Sequence, residues 1–582
     1  MTDFDLTPER TKLLETSGHI LVLGGPGSGK TTIALIKAAR EIESKSLKIH
    51  QRILFLSFAR ATIVRVTQLA GQLASIPDQK KIQIETYHGF AWNLLRSHGY
   101  LLNAKQPIRL LPPPEAASRL ADIVDEKERL NEKSRLFEED GLLHFDLFAK
   151  KTCELLSKSK TLARIVSDAY PVVILDEFQD TNADEWLMIR ELGKRSRLIA
   201  LADAEQRIYE FRGADPRRIG EFVSEFKPAQ FDFGVENNRS SGKDIIAFGN
   251  DLLSGNNLTK TYNDVKIVYY EARKGSLTHL ELKLAILAAS KKLRELNKPD
   301  WSLAILVPTK QLMLDVSACL ATEQKFASGK HLGIVPHDVA FDASGPSLAA
   351  NLIGRLLDGG DSVQIIVENF INDLCSHIRG RKGDDITAQA QLELALALSN
   401  HITTGIIPRG ATRKNTIVEC RRIANERISM QFTGDPSQDW LSIRNLLSAS
   451  SSESINKVAE DAKYLRLLHR GAIFRSQLSE LWRKNGTYLG ATSSVRNALT
   501  QEHFSASVRD YKGIQVMTIH KSKGKEFDHV IIYEGNYQGR IVPSNAKEKR
   551  ISQARLILRV GVTRAKDKVT IFTPKADPCS FL

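Results

Sequence analysis

The stretch Gly24-Gly25-Pro26-Gly27-Ser28-Gly29-Lys30-Thr31 follows the apolar run Ile20-Leu21-Val22-Leu23 and leads straight into Thr32-Ile33-Ala34-Leu35-Ile36. The order is strand, glycine loop, helix. Glycines let successive backbone N–H groups turn toward phosphate oxygens, and the positive potential at a helix N-terminus reinforces them. In such a loop Lys30 reaches the β and γ phosphates and the Thr31 hydroxyl ligates Mg2+, while Gly24, Gly25, Pro26, Gly27, Ser28, Gly29 and Thr32 line the cradle. The expected ligand is a nucleoside triphosphate with its magnesium ion.

Further along, Val172-Val173-Ile174-Leu175 is an apolar run that ends in Asp176-Glu177 and continues as Phe178-Gln179-Asp180. Two carboxylates at a strand end beside a phosphate loop suit hydrolysis. Asp176 is placed to hold Mg2+ through its water shell, and Glu177 to orient and deprotonate an attacking water. A helix N-cap is the plainer use of such a pair; the phosphate loop favours catalysis.

Composition narrows the class. Lys and Arg outnumber Asp and Glu by 82 to 68, and the resulting net charge of +14 favours a polyanionic partner. Cys153, Cys319, Cys375, Cys420 and Cys579 are scattered with no C-x-x-C pair, which argues against a disulfide framework or a zinc or iron–sulfur centre. The start Met1-Thr2-Asp3-Phe4-Asp5 lacks a basic-then-apolar leader, and nowhere do about 18 apolar residues run together. A reducing, cytoplasmic setting without a membrane partner is expected.

Short apolar runs recur at Ile53–Leu56, Val172–Leu175, Leu198–Leu201, Ile267–Tyr270, Leu303–Val307, His529–Tyr533 and Val569–Phe572. Helix-length segments separate most of them, as parallel strands buried by crossover helices require, so the class is α/β. Two stretches rich in Leu, Ala, Glu, Lys and Arg break the alternation, Arg96–Ser167 and Phe341–Ser505, and read as helical insertions. In the second, Ile455, Val458, Ala459, Ala462 and Leu465 share one helical face and are expected in a core, after a flexible tract Ser448–Ser454.

The order of further motifs closes a resemblance. LFLSFARA (Leu54–Ala61), IETYHGFAW (Ile84–Trp92), LDEFQDTN (Leu175–Asn182), ADAEQRIYEFRGA (Ala202–Ala214), ENNRS (Glu236–Ser240), VMTIHKSKGKEF (Val516–Phe527) and VGVTRA (Val560–Ala565) stand in the sequence order of one family. Over nearly its full length the chain resembles the UvrD, Rep and PcrA family of superfamily 1A DNA helicases.

The resemblance implies two RecA-like parallel-sheet lobes, each interrupted by a mainly helical insertion: 1–95 and 168–241 around 96–167, then 242–340 and 506–582 around 341–505. ATP would lie between the lobes. By the same resemblance Gln206 senses the γ-phosphate, Arg239 and Arg564 neutralise charge growing on the transferred phosphoryl group, and Glu526 faces the sugar. Single-stranded DNA would cross both lobes, near Phe58, Arg60, His88, Tyr209, Phe211 and Arg212 on the first and Thr518 and His520 on the second. Stacked bases on such rings are worth about 1–3 kcal/mol each.

Two departures bear on the adenine. Arg10 stands where the family carries a base-reading glutamine, and Asn238 where it stacks a tyrosine. A guanidinium offers donors only, so it cannot reproduce a paired donor and acceptor, and weaker discrimination among nucleoside triphosphates is expected. In the second insertion Arg379, Arg381, Lys382, Arg409, Arg413, Lys414, Arg421, Arg422 and Arg427 form clusters that either grip duplex phosphates or make a solvated helix face.

Two functions fit. One is an ATP-dependent 3′–5′ translocase and helicase, acting at single-strand/duplex junctions in DNA repair or recombination or in anti-phage defence. The other is a DNA-stimulated NTPase switch that regulates a partner, a nuclease or repair factor, through residues 341–505. Gabija-type anti-phage systems pair a small helicase of this family with a separate nuclease; the size of this chain fits, the segment Gly333–Leu357 loosely resembles that type, and with few residues after Val569–Phe572 no C-terminal nuclease is expected.

Overall fold

The computed structural model describes residues 7–25, 27–58, 66–67, 80–102, 104–203, 215, 217–234, 244–272, 278–296, 298, 300–325, 331–339, 344–360, 362–383, 387–463, 472–504, 511–542 and 548–582. They fall into two compact units. The first gathers Met1–Ala91, Thr152–Ala340 and Ala506–Leu582, and the second Trp92–Lys151 and Phe341–Ser505.

The first unit holds two parallel sheets, the two RecA-like lobes. In one, β1 (Ile20–Leu23), β2 (Ile53–Ser57), β3 (Ile82–Thr86), β4 (Val172–Leu175), β5 (Arg197–Ala202) and β6 (Ala229–Asp232) run in the order β3-β2-β4-β5-β1-β6. Every pairing is parallel. The central strands are continuous Ile, Leu and Val because both faces are covered: Ile20, Val22, Phe55, Ile174 and Leu201 are fully buried against Ile33 and Ala34 of the helix Lys30–Glu43. The order places β1 between β5 and β6, so the loop after β1 opens beside the end of β5, with β4 the next strand over.

In the other sheet β7 (Val265–Tyr270), β8 (Ser302–Val307), β9 (Asp338–Val339), β10 (Gly513–Thr518), β11 (Phe527–Tyr533) and β12 (Ala565–Pro574) run in the order β9-β10-β8-β11-β12-β7, again parallel throughout. All the apolar runs expected as strands are strands.

The second unit is mainly helical. The helix Val363–Gly380 packs on Ser344–Asp358, Ala411–Ser429 and, from the earlier segment, Pro113–Arg119. A Cβ on Gly380 would lie 2.8 Å from the Pro114 carbonyl oxygen, so the helices meet where only glycine fits. Arg379 donates to the Ser118 carbonyl at 3.1 Å and Arg496 pairs with Glu115 at 3.1 Å, joining the two segments. Ile455, Val458, Ala459 and Ala462 are buried in the core as expected, and Leu465 lies outside the described residues.

The serine tract is not a flexible linker. The Ser450 hydroxyl donates to Glu419 at 2.7 Å, Ser451 N–H donates to the same carboxylate oxygen at 3.2 Å, and Ser450 and Ser452 are buried. Serine composition favours disorder only when the hydroxyls find water rather than a fixed acceptor; here Glu419, some 30 residues upstream, is that acceptor.

Candidate nucleotide and nucleic-acid site

The loop after β1 is shaped by its glycines. Gly27 and Gly29 hold φ of +81° and +88°, and a Cβ on Gly24 would come within 2.6 Å of the Ser28 hydroxyl. Gly25 N–H donates to the Gly234 carbonyl at 2.8 Å, tying the loop to the chain just after β6. Lys30 opens the helix, with Thr31 and Thr32 in its first turn, and its ammonium donates to the Gly24 and Gly25 carbonyls at 2.6 and 2.9 Å. A cation folded over the cradle is poised to exchange those carbonyls for phosphate oxygens.

Arg10, expected at the base, is packed against this loop. It is 3% exposed, donates from Nη2 to the Ser28 carbonyl at 3.1 Å, and lies over the Phe233 ring with Cζ 5.3 Å from the centroid.

β4 delivers the carboxylates. Asp176 accepts a bond from the Ser57 hydroxyl at 2.9 Å, across from β2. Glu177 adopts φ +53°, a left-handed conformation that costs energy for a residue with a Cβ and turns its side chain out of strand register. Gln179 donates to Glu177 at 2.6 Å and accepts from Asp203 N–H at 3.0 Å, which fixes the carboxylate against the end of β5.

Cations of the second lobe face this pair. The Lys523 ammonium lies 3.6 Å from the Glu177 carboxylate and bonds the buried Asp180. Arg564 is 2% exposed and bonded to the Val560 carbonyl at 3.0 Å and the Thr563 hydroxyl at 3.1 Å, and its charge acts on Glu177. Burial alone pushes the Glu177 carboxyl up, but Lys523, Lys30, the bond from Gln179 and Arg564 outweigh it and hold the group below the ordinary carboxylate range. Asp176 goes the other way: burial, then the charge of Glu177, raise it, and Ser57 and Lys30 offset only part. Burial likewise raises Asp180 against the pull of Lys523. Glu177 thus stays a carboxylate that can accept a hydrogen bond from a water.

The donor set fits magnesium. Mg2+ prefers oxygen ligands, keeps several waters, and is held by one or two carboxylates with substrate phosphates rather than by a protein cage. Asp176 and the Thr31 hydroxyl are such donors, and among the described residues no cluster of three or more His, Cys, Asp or Glu forms a rival metal centre. Bound there, the ion would screen phosphate charge.

Of the expected nucleic-acid contacts, Phe58 stacks on buried Tyr87 with centroids 4.3 Å apart, and His88 follows in the helix Tyr87–His98. Thr518 closes β10 and His520 opens a short 3-10 turn after it. Glu526 precedes β11 and is half-buried. Pro26, Arg60, Gln206, Tyr209, Phe211, Arg212, Asn238 and Arg239 lie outside the described residues. Ser57, Tyr87, Gln179, Asp180 and Lys523 join the site without having been singled out. All five sit within or beside the quoted motifs, so the signal was their membership in those blocks.

The basic clusters of the second unit are largely committed internally. Arg381 bonds Asp461 at 2.7 and 3.1 Å, Arg413 lies 3.5 Å from Glu393, and Arg422 pairs with Glu419 and Glu426 at 2.9 and 2.6 Å. Arg427 donates to the Leu356 and Leu357 carbonyls and lies over Phe432.

Two parallel-sheet lobes, a glycine loop with its lysine, and an acid pair facing basic residues define a P-loop nucleotide hydrolase built on RecA-like lobes. The UvrD/REP helicase N-terminal domain matches residues 6–140 and 132–227, and the UvrD-like helicase C-terminal domain residues 429–575. The chain belongs to the UvrD/Rep helicase family. Among curated relatives, the ATP-dependent DNA helicase PcrA of Staphylococcus epidermidis is 22% identical over 96% of this chain and 81% of its own. PcrA of Staphylococcus aureus is 22% identical over 46% of this chain and 43% of its own. No helix among the described residues is long and apolar enough to cross a membrane.

Proposed function

We propose that the chain is an ATP-dependent DNA helicase that translocates 3′ to 5′ on single-stranded DNA and opens duplexes at the junction. The observation that carries the reading is the meeting of the two lobes at the acid pair, where the second-lobe Lys523 ammonium lies 3.6 Å from the Glu177 carboxylate and bonds the buried Asp180. Hydrolysis that depends on cations from both lobes couples the γ-phosphate to lobe closure, and closure and opening pass grip along a strand. Lys30, Asp176, Glu177, Gln206, Arg239 and Arg564 are the catalytic set in this reading, with Thr31 and Asp176 toward the metal. The lobe boundaries, the cytoplasmic setting and a role in repair or defence belong to the same proposal, and the polarity rests on family resemblance.

The test is strand displacement by the full chain on 3′-tailed and 5′-tailed duplexes with ATP. Displacement of the 3′-tailed substrate, lost in Lys30→Ala while DNA binding persists, supports the reading. ATP hydrolysis stimulated by DNA without displacement supports the switch instead. Unwinding by Lys30→Ala would refute the site. Arg564→Ala is expected to lower kcat by about 10³-fold, as loss of an arginine finger does.

A further inference from the structure

Tyr537 is 88% exposed, yet the turn that carries it is built as a rigid mount. The turn leaves the end of β11 and is closed by Gly535 N–H donating to the Gly539 carbonyl at 3.2 Å. Both glycines are needed: a Cβ on Gly535 would sit 1.9 Å from the Gln538 carbonyl oxygen, and Gly539 holds φ +72° with Leu312 and Thr309 within 3.1 Å of any Cβ. Below the turn, fully buried Glu534 accepts from Ile541 N–H at 2.9 Å and from the Thr573 hydroxyl at 2.8 Å, and pairs with Arg540 at 3.3 Å. Arg540 in turn donates to the Asp577 carbonyl at 2.7 Å. Gly535, Gly539 and Ile541 are buried while the ring stands out between Asn536 and Gln538.

The position of the mount is informative. In open parallel sheets ligands gather outside the carboxyl ends of the strands. β10, β8 and β11 are consecutive neighbours in the second sheet and end on the same side. From β10 come Thr518 and His520, from β8 the turn Thr309-Lys310, and from β11 Tyr537; Ile519 N–H bonds the Val307 carbonyl at 3.0 Å, and Gly539 lies against Thr309. At about 4.8 Å per strand, β11 is roughly 10 Å from β10, within a few nucleotides along one path.

We propose that Tyr537 is a base-stacking platform for single-stranded nucleic acid, extending the second-lobe track beyond Thr518 and His520. This rests on the reading of that edge as the nucleic-acid path. A lone ring between polar neighbours does not make the contiguous apolar patch that protein docking uses, whereas every base offers a π-face to a single aromatic. Because the mount is already fixed, little freedom is lost when a base settles on it.

The experiment measures binding of the full chain and of Tyr537→Ala, Tyr537→Phe and Tyr537→Trp to a 3′-tailed oligonucleotide and to the same tail made abasic. Stacking predicts that Tyr537→Ala weakens binding to the normal tail by about 5- to 150-fold. The Phe and Trp variants should retain it, and wild type and Tyr537→Ala should bind the abasic tail alike. NTP hydrolysis without DNA should be unchanged in all four proteins, which reports intact folding. Equal binding by wild type and Tyr537→Ala to the normal tail overturns the proposal while leaving the nucleic-acid reading intact. A loss shared by Tyr537→Phe, or one as large on the abasic tail, also overturns it, because the hydroxyl or the backbone would then be the contact. Failure of wild type to bind either tail sinks the underlying reading as well.

Discussion

Arg10, expected at the base, is placed by the fold against the phosphate loop instead. Its guanidinium is committed to the Ser28 carbonyl and the Phe233 ring, so its substitution acts first on the shape of the phosphate cradle. Arg10→Ala is expected to cost about 2 kcal/mol of stability, a buried charge-assisted bond with its ring contact, and to raise KM for ATP, GTP, CTP and UTP together. Denaturant unfolding and four-nucleotide kinetics check this; a KM rise confined to ATP would mean that Arg10 reads the base. Lys523 makes a second residue-scale prediction. It holds the Glu177 carboxyl low, so Lys523→Met should raise the pKa of that group and move the acid limb of the kcat profile to higher pH. An unmoved limb would separate Lys523 from the base. The loop and the acid pair could be picked out as candidates from local spacing, whereas Arg564 was picked out only through the family resemblance. The place of Arg10 was not legible, since Phe233 lies more than 200 residues away in the sequence.

At the scale of elements, the strands were readable from unbroken apolar runs, as burial on both faces demands. The helical insertion was readable in composition but not in its charge. A run of arginines looks alike whether it faces phosphate or caps a neighbouring helix; Arg381, Arg413, Arg422 and Arg427 have internal partners. Arg427 of the helix Ala411–Ser429 satisfies the carbonyls of Leu356 and Leu357 in the last turn of Ser344–Asp358, a helix end that otherwise leaves acceptors unmet. Arg427→Ala should therefore destabilise the protein by about 2 kcal/mol in denaturant unfolding, with unchanged affinity for duplex DNA. Weakened duplex binding at unchanged stability would return this residue to the phosphate-gripping role. The serine tract failed for a related reason, because Glu419 supplies an acceptor that composition does not reveal.

For the whole molecule, the charge excess of +14 and the two-lobed architecture point to binding dominated by phosphate. Affinity for single-stranded DNA should fall steeply with salt, log K against log salt sloping by about −0.7 for each phosphate neutralised. Tyr537→Ala should lower the line without changing its slope, since a stacked ring releases no counterion. A flat salt dependence would remove the electrostatic basis of the partner assignment.

The interleaved order of strands has a consequence for how the chain is made. All six strands of the first sheet are complete once residue 232 is synthesised, so that lobe can close while the rest is still on the ribosome. The second sheet cannot. β8 must wait more than 200 residues for its neighbours β10 and β11, and β7 waits nearly 300 for β12. Through that interval two apolar strands lack their partners while the helical segments 344–504 emerge, which leaves them open to mispairing until the last β-strand is made.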